Sequence, residues 1–569
     1  MPYALAARFM RSLSGAGLIL GVLFFAAALT PTLVPRTATM QGVLSGGAFA
    51  VGYLIGVFLR WLWTYLELPT PADNLRQKLN GIVLALSVLT ALWFLWRAAE
   101  WQNSIRRVMG MEPVDTSHPV LISLIAIATF LMLLVIGRLF ALLARRAAWR
   151  IAQVMPPRVA NVLGVTLAVL VFWLLASDVF WRMGFDAIDA SFREYDALID
   201  AARPQPAAPE KSGSPASLID WQSIGRAGRE FISSGPDAAT ISAFTGRPAK
   251  EPIRVYVGLK TRETAEERAE LALQELLRVG AFERELLVVA VPTGTGWLDP
   301  AAMDSLEYLH HGDVATVAIQ YSYLNSPLSL IVEPDRGEDA AKALLSVVYH
   351  HWTSLPRDRR PRLYLHGLSL GALNSQGSVD LFRMLGDPVN GALWSGPPFA
   401  SELWATFTAE RDPGSPAWLP QYQDGSVVRF MNQNGYPEGA RYAPWGAMRI
   451  VYLQYASDSV TFFSPLGFFR KPSWMDEPRG PDVSPDLRWY PVVTMLQLAL
   501  DMAFATATPL GHGHLYAPEH YVTAWIEVTE PQGWNDESIA RLKQHLRSLM
   551  EEAVESIDDP EDAYSNQGG

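Results

Sequence analysis

Leu363-Tyr364-Leu365-His366-Gly367-Leu368-Ser369-Leu370-Gly371 is the stretch on which the reading of this 569-residue chain turns. Its short apolar run reads as a strand, Gly371-Ala372-Leu373 opens a helical pattern, and a G-x-S-x-G lies between them. In such a strand-to-helix turn the serine is held in strained backbone that exposes its hydroxyl, and the flanking glycines remove side chains that would collide. The pattern recurs by chance in glycine-rich chains, and an ordinary βα turn is the plain alternative. Its placement between a strand and a helix singles out Ser369 as a nucleophile.

A serine hydroxyl is a weak nucleophile and needs a base oriented by a carboxylate; behind a turn of this kind the chain order is Ser, then acid, then His. The strand pattern Arg449 to Tyr455 runs into Ala456-Ser457-Asp458, so Asp458 lies just past a strand's carboxyl end, with Asp476, Asp482 and Asp486 as loop competitors. Downstream stand His512, His514 and His520, the first two in the loop Gly511-His512-Gly513-His514. His512, with glycine on both sides, is the preferred base and His514 the next. Two histidines at i and i+2 can begin a metal site, but no third ligand pattern accompanies them, so neither metal nor cofactor is expected. His310-His311 and His350-His351 read as surface or helix residues. An oxyanion needs two amides: that of Leu370, and one from Thr293-Gly294-Thr295-Gly296, the glycine-rich loop after the strand pattern ending at Val291. That loop lacks the glycine spacing and the Lys-Ser or Lys-Thr ending of a phosphate loop.

Around this constellation strand-length apolar runs alternate with helical patterns. Strands are expected at 253–259, 285–291, 314–320, 362–365, 391–394, 427–431 and 450–455, and helices at 265–279, 338–352 and 371–385. Alternation of this kind implies βαβ units and a doubly wound, mostly parallel sheet of α/β-hydrolase type, with its site at the carboxyl ends of the strands.

The N-terminal third is different in kind. Half of the chain is apolar and only 18% is charged, too apolar for one soluble core. Five runs approach the ~20 residues that cross ~30 Å of hydrocarbon: Leu13 to Val34, Gly42 to Leu62, Gly81 to Trp96, Val120 to Leu143 and Val159 to Val179. The first, interrupted by Pro31, resembles a signal peptide but is longer than the usual apolar region and is read as a retained helix. Gly42, Gly46, Gly52 and Gly56 form G-x-x-x-G spacings suited to close helix packing, and so to an oligomer through the second span. No span carries a cluster of ionisable groups at its centre, which argues against a transporter. With the N-terminus inside, Arg8, Arg11, Arg60, Arg76, Lys78, Arg138, Arg145, Arg146, Arg150 and Arg158 fall inside, against Arg36, Arg97, Arg106 and Arg107 outside. Five spans then place the rest of the chain on the outer side.

The expected organisation is a transmembrane bundle at 1–183, a linker and connecting segment at 184–250, a catalytic domain at 251–530 and a C-terminal helix with an acidic tail at 531–569. Pro and small polar residues from Ala201 to Ser217 read as an extended, solvated connector. The net charge of −11 shows no basic footprint for nucleic acid. The absence of cysteine excludes disulfides and a Cys nucleophile without fixing a compartment.

Leu29-Thr30-Pro31-Thr32-Leu33-Val34-Pro35-Arg36, Val291 to Trp297, Gln320 to Leu324, Ser369-Leu370-Gly371, Tyr455 to Asp458 and Gly511 to His514 together resemble a bacterial family of membrane proteins with an α/β-hydrolase-like catalytic domain. The resemblance covers nearly the whole chain. It implies the two-part architecture, a bacterial cytoplasmic membrane and a Ser-Asp-His hydrolase, but no substrate. Leu368 departs from the acidic residue that precedes the serine in many relatives, at a position where such elbows vary. The function expected is thus a membrane-anchored serine hydrolase, esterase- or lipase-like, acting on an ester or acyl substrate such as a lipid. Trp394, Phe399, Trp404, Phe462, Phe463, Phe468 and Phe469 would suit an apolar substrate around a cap. The alternative is a catalytically silent hydrolase fold that acts as a membrane sensor or assembly partner.

Overall fold

The computed structural model describes residues 12–69, 72–175, 196, 198, 204–324, 326–380, 384 and 386–558. Arg8, Arg11, the end of the fifth apolar run at 176–179, the start of the connector at 201–203, most of the end of the helix expected at 371–385, and the acidic tail beyond 558 lie outside them. The chain forms two compact units. One holds the described residues of 1–188 with Phe463–Met475 and Pro481–Thr508; the other holds the rest.

In the first unit the apolar runs form α1 (Gly15–Ala28), α2 (Ala38–Tyr65), α3 (Asp73–Val108), α4 (Pro119–Ile151) and α5 (Pro157–Leu174). Among the described residues four helices are long and apolar enough to cross a membrane: Ala38–Tyr65, Lys78–Val108, Pro119–Ile151 and Pro157–Leu174. The first expected span is cut short. Helix α1 has 14 residues, about 21 Å at the usual rise. Pro31 has no amide to continue a ladder and holds Thr30 out of helical backbone. Beyond it, the Leu33 amide is taken up by a side chain, Asp501 Oδ2, at 3.0 Å.

The glycines of α2 are where backbones meet. A Cβ on Gly42 would lie 2.7 Å from Ile125 and one on Gly46 2.5 Å from the Ala126 carbonyl, both on α4. On Gly52 and Gly56 it would meet the Leu20 and Ala16 carbonyls of α1 at 2.6 and 2.5 Å. These glycines thus let α1 and α4 approach the α2 backbone closely, packing of the kind small residues permit.

Two stretches from within the expected catalytic domain belong to this unit. Val493 of α12 (Val493–Ala503) is buried among Ala27, Ala28, Leu44 and Ala48. Asp501 pairs with Arg36 at 3.1 Å, with both side chains essentially inaccessible. Arg36, counted among the outside-loop basic residues, is buried. It finds its carboxylate 465 positions away, outside the long apolar helices.

In the second unit, seven strands pair in parallel in the order β1-β3-β2-β4-β5-β7-β6. They are β1 (Ile253–Val257), β2 (Leu286–Val291), β3 (Val314–Ile319), β4 (Arg362–Leu368), β5 (Gly391–Ser395), β6 (Val428–Met431) and β7 (Arg449–Leu453). Between them run α8 (Ala265–Arg278), α9 (Pro300–Leu309), α10 (Arg336–Ser354) and α11 (Leu370–Gly377); α6 (Arg226–Ser234) and α7 (Ala238–Thr245) precede the sheet, and α13 (Pro518–Thr529) and α14 (Asp536–Asp558) follow it. Every residue of β1, β2, β3, β5 and β6 is buried, as expected of a parallel sheet covered on its faces.

The later part of the connector is not a solvated tether. Ser212 and Ser214 are buried, Ser217 Oγ donates to Glu275 at 2.6 Å and the Leu218 amide to the same carboxylate at 3.0 Å. A run of Pro and Ser packs here because one buried carboxylate on α8 gathers its donors. His310, read as a surface or helix residue, caps the end of α9 and is buried between Glu285 and Thr529.

Candidate active site

The strand order sets β2, β4, β5 and β7 side by side, so the segments leaving their carboxyl ends are neighbours. Those segments carry the Thr293 to Gly296 loop, Ser369, Ser395-Gly396 and Asp458 respectively.

Ser369 sits between β4 and α11 with φ 56° and ψ −123°, a conformation costly for a residue with a side chain. The turn is tight on both sides. A Cβ on Gly367 would fall 2.3 Å from the Gly371 carbonyl, and one on Gly371 2.1 Å from the Val291 carbonyl at the end of β2. Both glycines are therefore steric requirements of the elbow. The Ser369 amide is held by the Ser395 carbonyl at 3.0 Å, which ties the turn to the end of β5.

Beyond β7, Asp458 is fully buried and gathers donors: the Val460 amide at 2.9 Å, the Thr461 amide at 3.3 Å, Thr461 Oγ1 at 3.2 Å and the Tyr516 hydroxyl at 2.8 Å. It also receives His514 Nδ1 at 2.7 Å. A carboxylate only accepts, so this bond fixes the proton on Nδ1 and leaves a lone pair on Nε2. That Nε2 is buried and has no hydrogen-bond partner among the described residues. Gly396, whose neighbour Ser395 holds the elbow amide, lies against the same ring: a Cβ there would be 2.8 Å from His514 Cε1 and 3.0 Å from Asp458 Oδ2. Ser369 and His514 thus flank the short Ser395-Gly396 segment.

The histidine that reaches Asp458 is His514, not the preferred His512. Gly511 and Gly513 both take positive φ, 88° and 58°, and fold the loop tightly. The Gly513 amide donates to Ser457 Oγ at 2.8 Å, which anchors the following residue over Asp458. His512 bridges to Leu515 through its backbone and stands near His520. His366, immediately before the elbow, is turned into the core: Nδ1 meets the Leu393 carbonyl at 2.9 Å, and burial pushes its pKa down to about 4.

The four residues of the glycine-rich loop are not equivalent. The Thr293 amide is spent on the Trp297 carbonyl and the Gly296 amide on the Thr293 carbonyl, both at 2.9 Å. Gly294 faces Ser326 Oγ at 3.4 Å. Among the described residues the Thr295 amide has no such bond, and the Leu370 amide opens α11 with no side-chain cap from Ser369. Of the aromatic residues read as a cap, Trp394 is core, its Nε1 donating to Ser375 Oγ at 3.0 Å. Phe463, Phe468 and Phe469 belong to the first unit.

Two groups escaped sequence reading. Tyr516 donates to Asp458, but nothing in Leu515-Tyr516 marks it. Asp299 follows the glycine-rich loop and reads as a helix N-cap before Pro300, which it is: Oδ1 accepts the Ala301 amide at 3.0 Å. It is also buried, and desolvation pushes its carboxyl up to about 7, against the pull of the Tyr521 hydroxyl, the Ala301 amide and the nearby His514. Among the described residues no group of three His, Asp or Glu side chains is placed to hold a metal.

No curated protein and no solved structure matches the chain. Family models do match: residues 253–542 fit the alpha/beta-hydrolase family and residues 29–236 its N-terminal region. With a parallel sheet, a serine elbow after its central β4 and apolar helices ahead of it, the chain belongs to the alpha/beta-hydrolase family.

Proposed function

We propose that this protein is a membrane-anchored serine hydrolase, esterase- or lipase-like, with Ser369 as nucleophile, His514 as base and Asp458 as orienting acid. The observation that carries this reading is the 2.7 Å bond between His514 Nδ1 and Asp458, with Nε2 buried and unpartnered next to an elbow held in positive φ. In the proposed reaction Ser369 Oγ attacks the acyl carbonyl while His514 Nε2 takes its proton. Asp458 stabilises the imidazolium, and the Leu370 and Thr295 amides receive the oxyanion. Collapse expels the alcohol with the proton from His514, and water, activated by the same ring, releases the acid. The lipid character of the substrate rests on the anchoring helices alone.

In this reading the catalytic unit faces outward from a bacterial inner membrane, the side that the Lys and Arg distribution favours with the 14-residue α1 counted as a span. Alkaline phosphatase fused after the exposed Ala207 is then active; activity only from a cytoplasmic reporter there contradicts this. For the chemistry, full-length protein in detergent is offered p-nitrophenyl butyrate and a longer-chain ester. Ser369→Ala lowers kcat/KM by roughly 10³-fold or more at unchanged melting temperature; turnover that survives the substitution rules out this reading.

A further inference from the structure

The first unit encloses a cavity of about 460 Å³ that has no part in the hydrolase reading. Its wall is built where helices end: Leu29 after α1, Thr37 and Ala38 opening α2, Ala98 to Arg106 in the last turns of α3, and Ser117 to Ile122 opening α4. The ends of long apolar helices lie at the level of lipid headgroups, which fixes the depth of the cavity.

The lining is two-sided. Leu29, Met40, Met111 and Ile122 give it an apolar wall, whereas Arg36, Gln41, Gln102 and Arg106 bring donors, and among the described residues no carboxylate lines it. Arg36 is already committed, to Asp501 at 3.1 Å and to Gln41 Oε1 at 3.0 Å, while its own amide donates to Gln102 Oε1 at 3.0 Å. The pair with Asp501 is neutral, so Arg106 supplies the surplus positive charge; its Nε donates to the uncharged Glu112 carbonyl. Two helices, of 28 and 33 residues, also point their amino ends at the cavity. His118 gives the second of them no side-chain cap, so its first amides favour an anion.

We infer that this cavity binds the phosphate-bearing headgroup of an anionic amphiphile, with Arg106 contacting the phosphate and the apolar wall receiving the start of the chain. A volume of this size is ordinary for a small-molecule site, and a charge-assisted bond from a guanidinium is the strongest contact that the lining offers.

Native mass spectrometry of the detergent-solubilised full-length protein tests this with added dioleoylphosphatidylglycerol, set beside thermal stability in inorganic phosphate at constant ionic strength. One retained lipid is expected, about tenfold weaker in Arg106→Gln, the loss of one charged hydrogen bond, and absent in Ala98→Trp, which fills the cavity without touching the Arg36 pair. Lipid retention without a phosphate response assigns the headgroup to a lipid. A phosphate response that Arg106→Gln abolishes keeps the anion site and assigns it to free phosphate, overturning the amphiphile. Retention equal in the wild type and both variants, or no response to either probe, overturns the site altogether.

Discussion

Asp299 is a carboxylic acid sealed close to His514, and its cost is electrostatic. Burial raises its carboxyl from the ordinary 3.8 to about 7 in the folded protein, so over that interval the folded chain holds a proton that the unfolded chain has lost. The contribution to stability is fully present below pH ~4 and is lost as pH rises through ~7. A difference of this size corresponds to roughly 4 kcal/mol. Asp299→Asn keeps an acceptor for the Ala301 amide but cannot ionise, so its stability measured by urea unfolding declines less between pH 4 and 7 than that of the wild type. Parallel pH profiles of the two contradict the assignment. Sequence order picked out Ser369, Asp458 and a pair of loop histidines. It did not separate His514 from His512, because the choice depends on a hydrogen bond from Gly513 to Ser457 across 56 positions. Asp299 stayed hidden because its N-cap role is a sufficient local explanation for an Asp before Pro300.

At the scale of elements, the elbow is a contact between backbones. Gly371 can carry no side chain without striking the end of β2, and Gly367 none without striking α11. Gly371→Ala is expected to cost several kcal/mol, in the range of overpacked cores and strained turns, while Gly386→Ala, with nothing within 4 Å among the described residues, leaves the melting temperature unchanged; equal behaviour of the two contradicts the geometry. The buried strands were legible to within a few residues at either end because uninterrupted apolar runs bounded by turn residues have few other readings. The connector and α1 were not. Ser212 and Ser214 look solvated until Glu275 is placed beside them, and the interruption at Pro31, visible in the run Leu13 to Val34, does not reveal that the Asp501 side chain takes the Leu33 amide beyond it.

At the scale of the whole molecule, the chain leaves the second unit after Asp458 and is back in it before His514, having contributed α12 to the unit of apolar helices. Its fixed point there is Arg36 with Asp501. Removing one member of a buried pair strands the other charge and costs ~3–5 kcal/mol. Arg36→Met and Asp501→Leu each lower the melting temperature in detergent, and the double variant recovers a substantial part of the loss; additive losses show that the two do not act as a pair. Nothing local marks this contact, since its members lie 465 residues apart and each reads alone as an ordinary charged residue near a helix end.

The claim on which the functional account rests is that Ser369 is activated by His514. Labelling of the full-length protein with a fluorophosphonate, followed by peptide mapping, tests it most directly. The phosphonyl group is expected on Ser369, with labelling abolished in Ser369→Ala, slowed roughly 10³-fold or more in His514→Ala and changed by less than about tenfold in His512→Ala. Labelling that persists in Ser369→Ala, or that depends on His512 and not on His514, contradicts it.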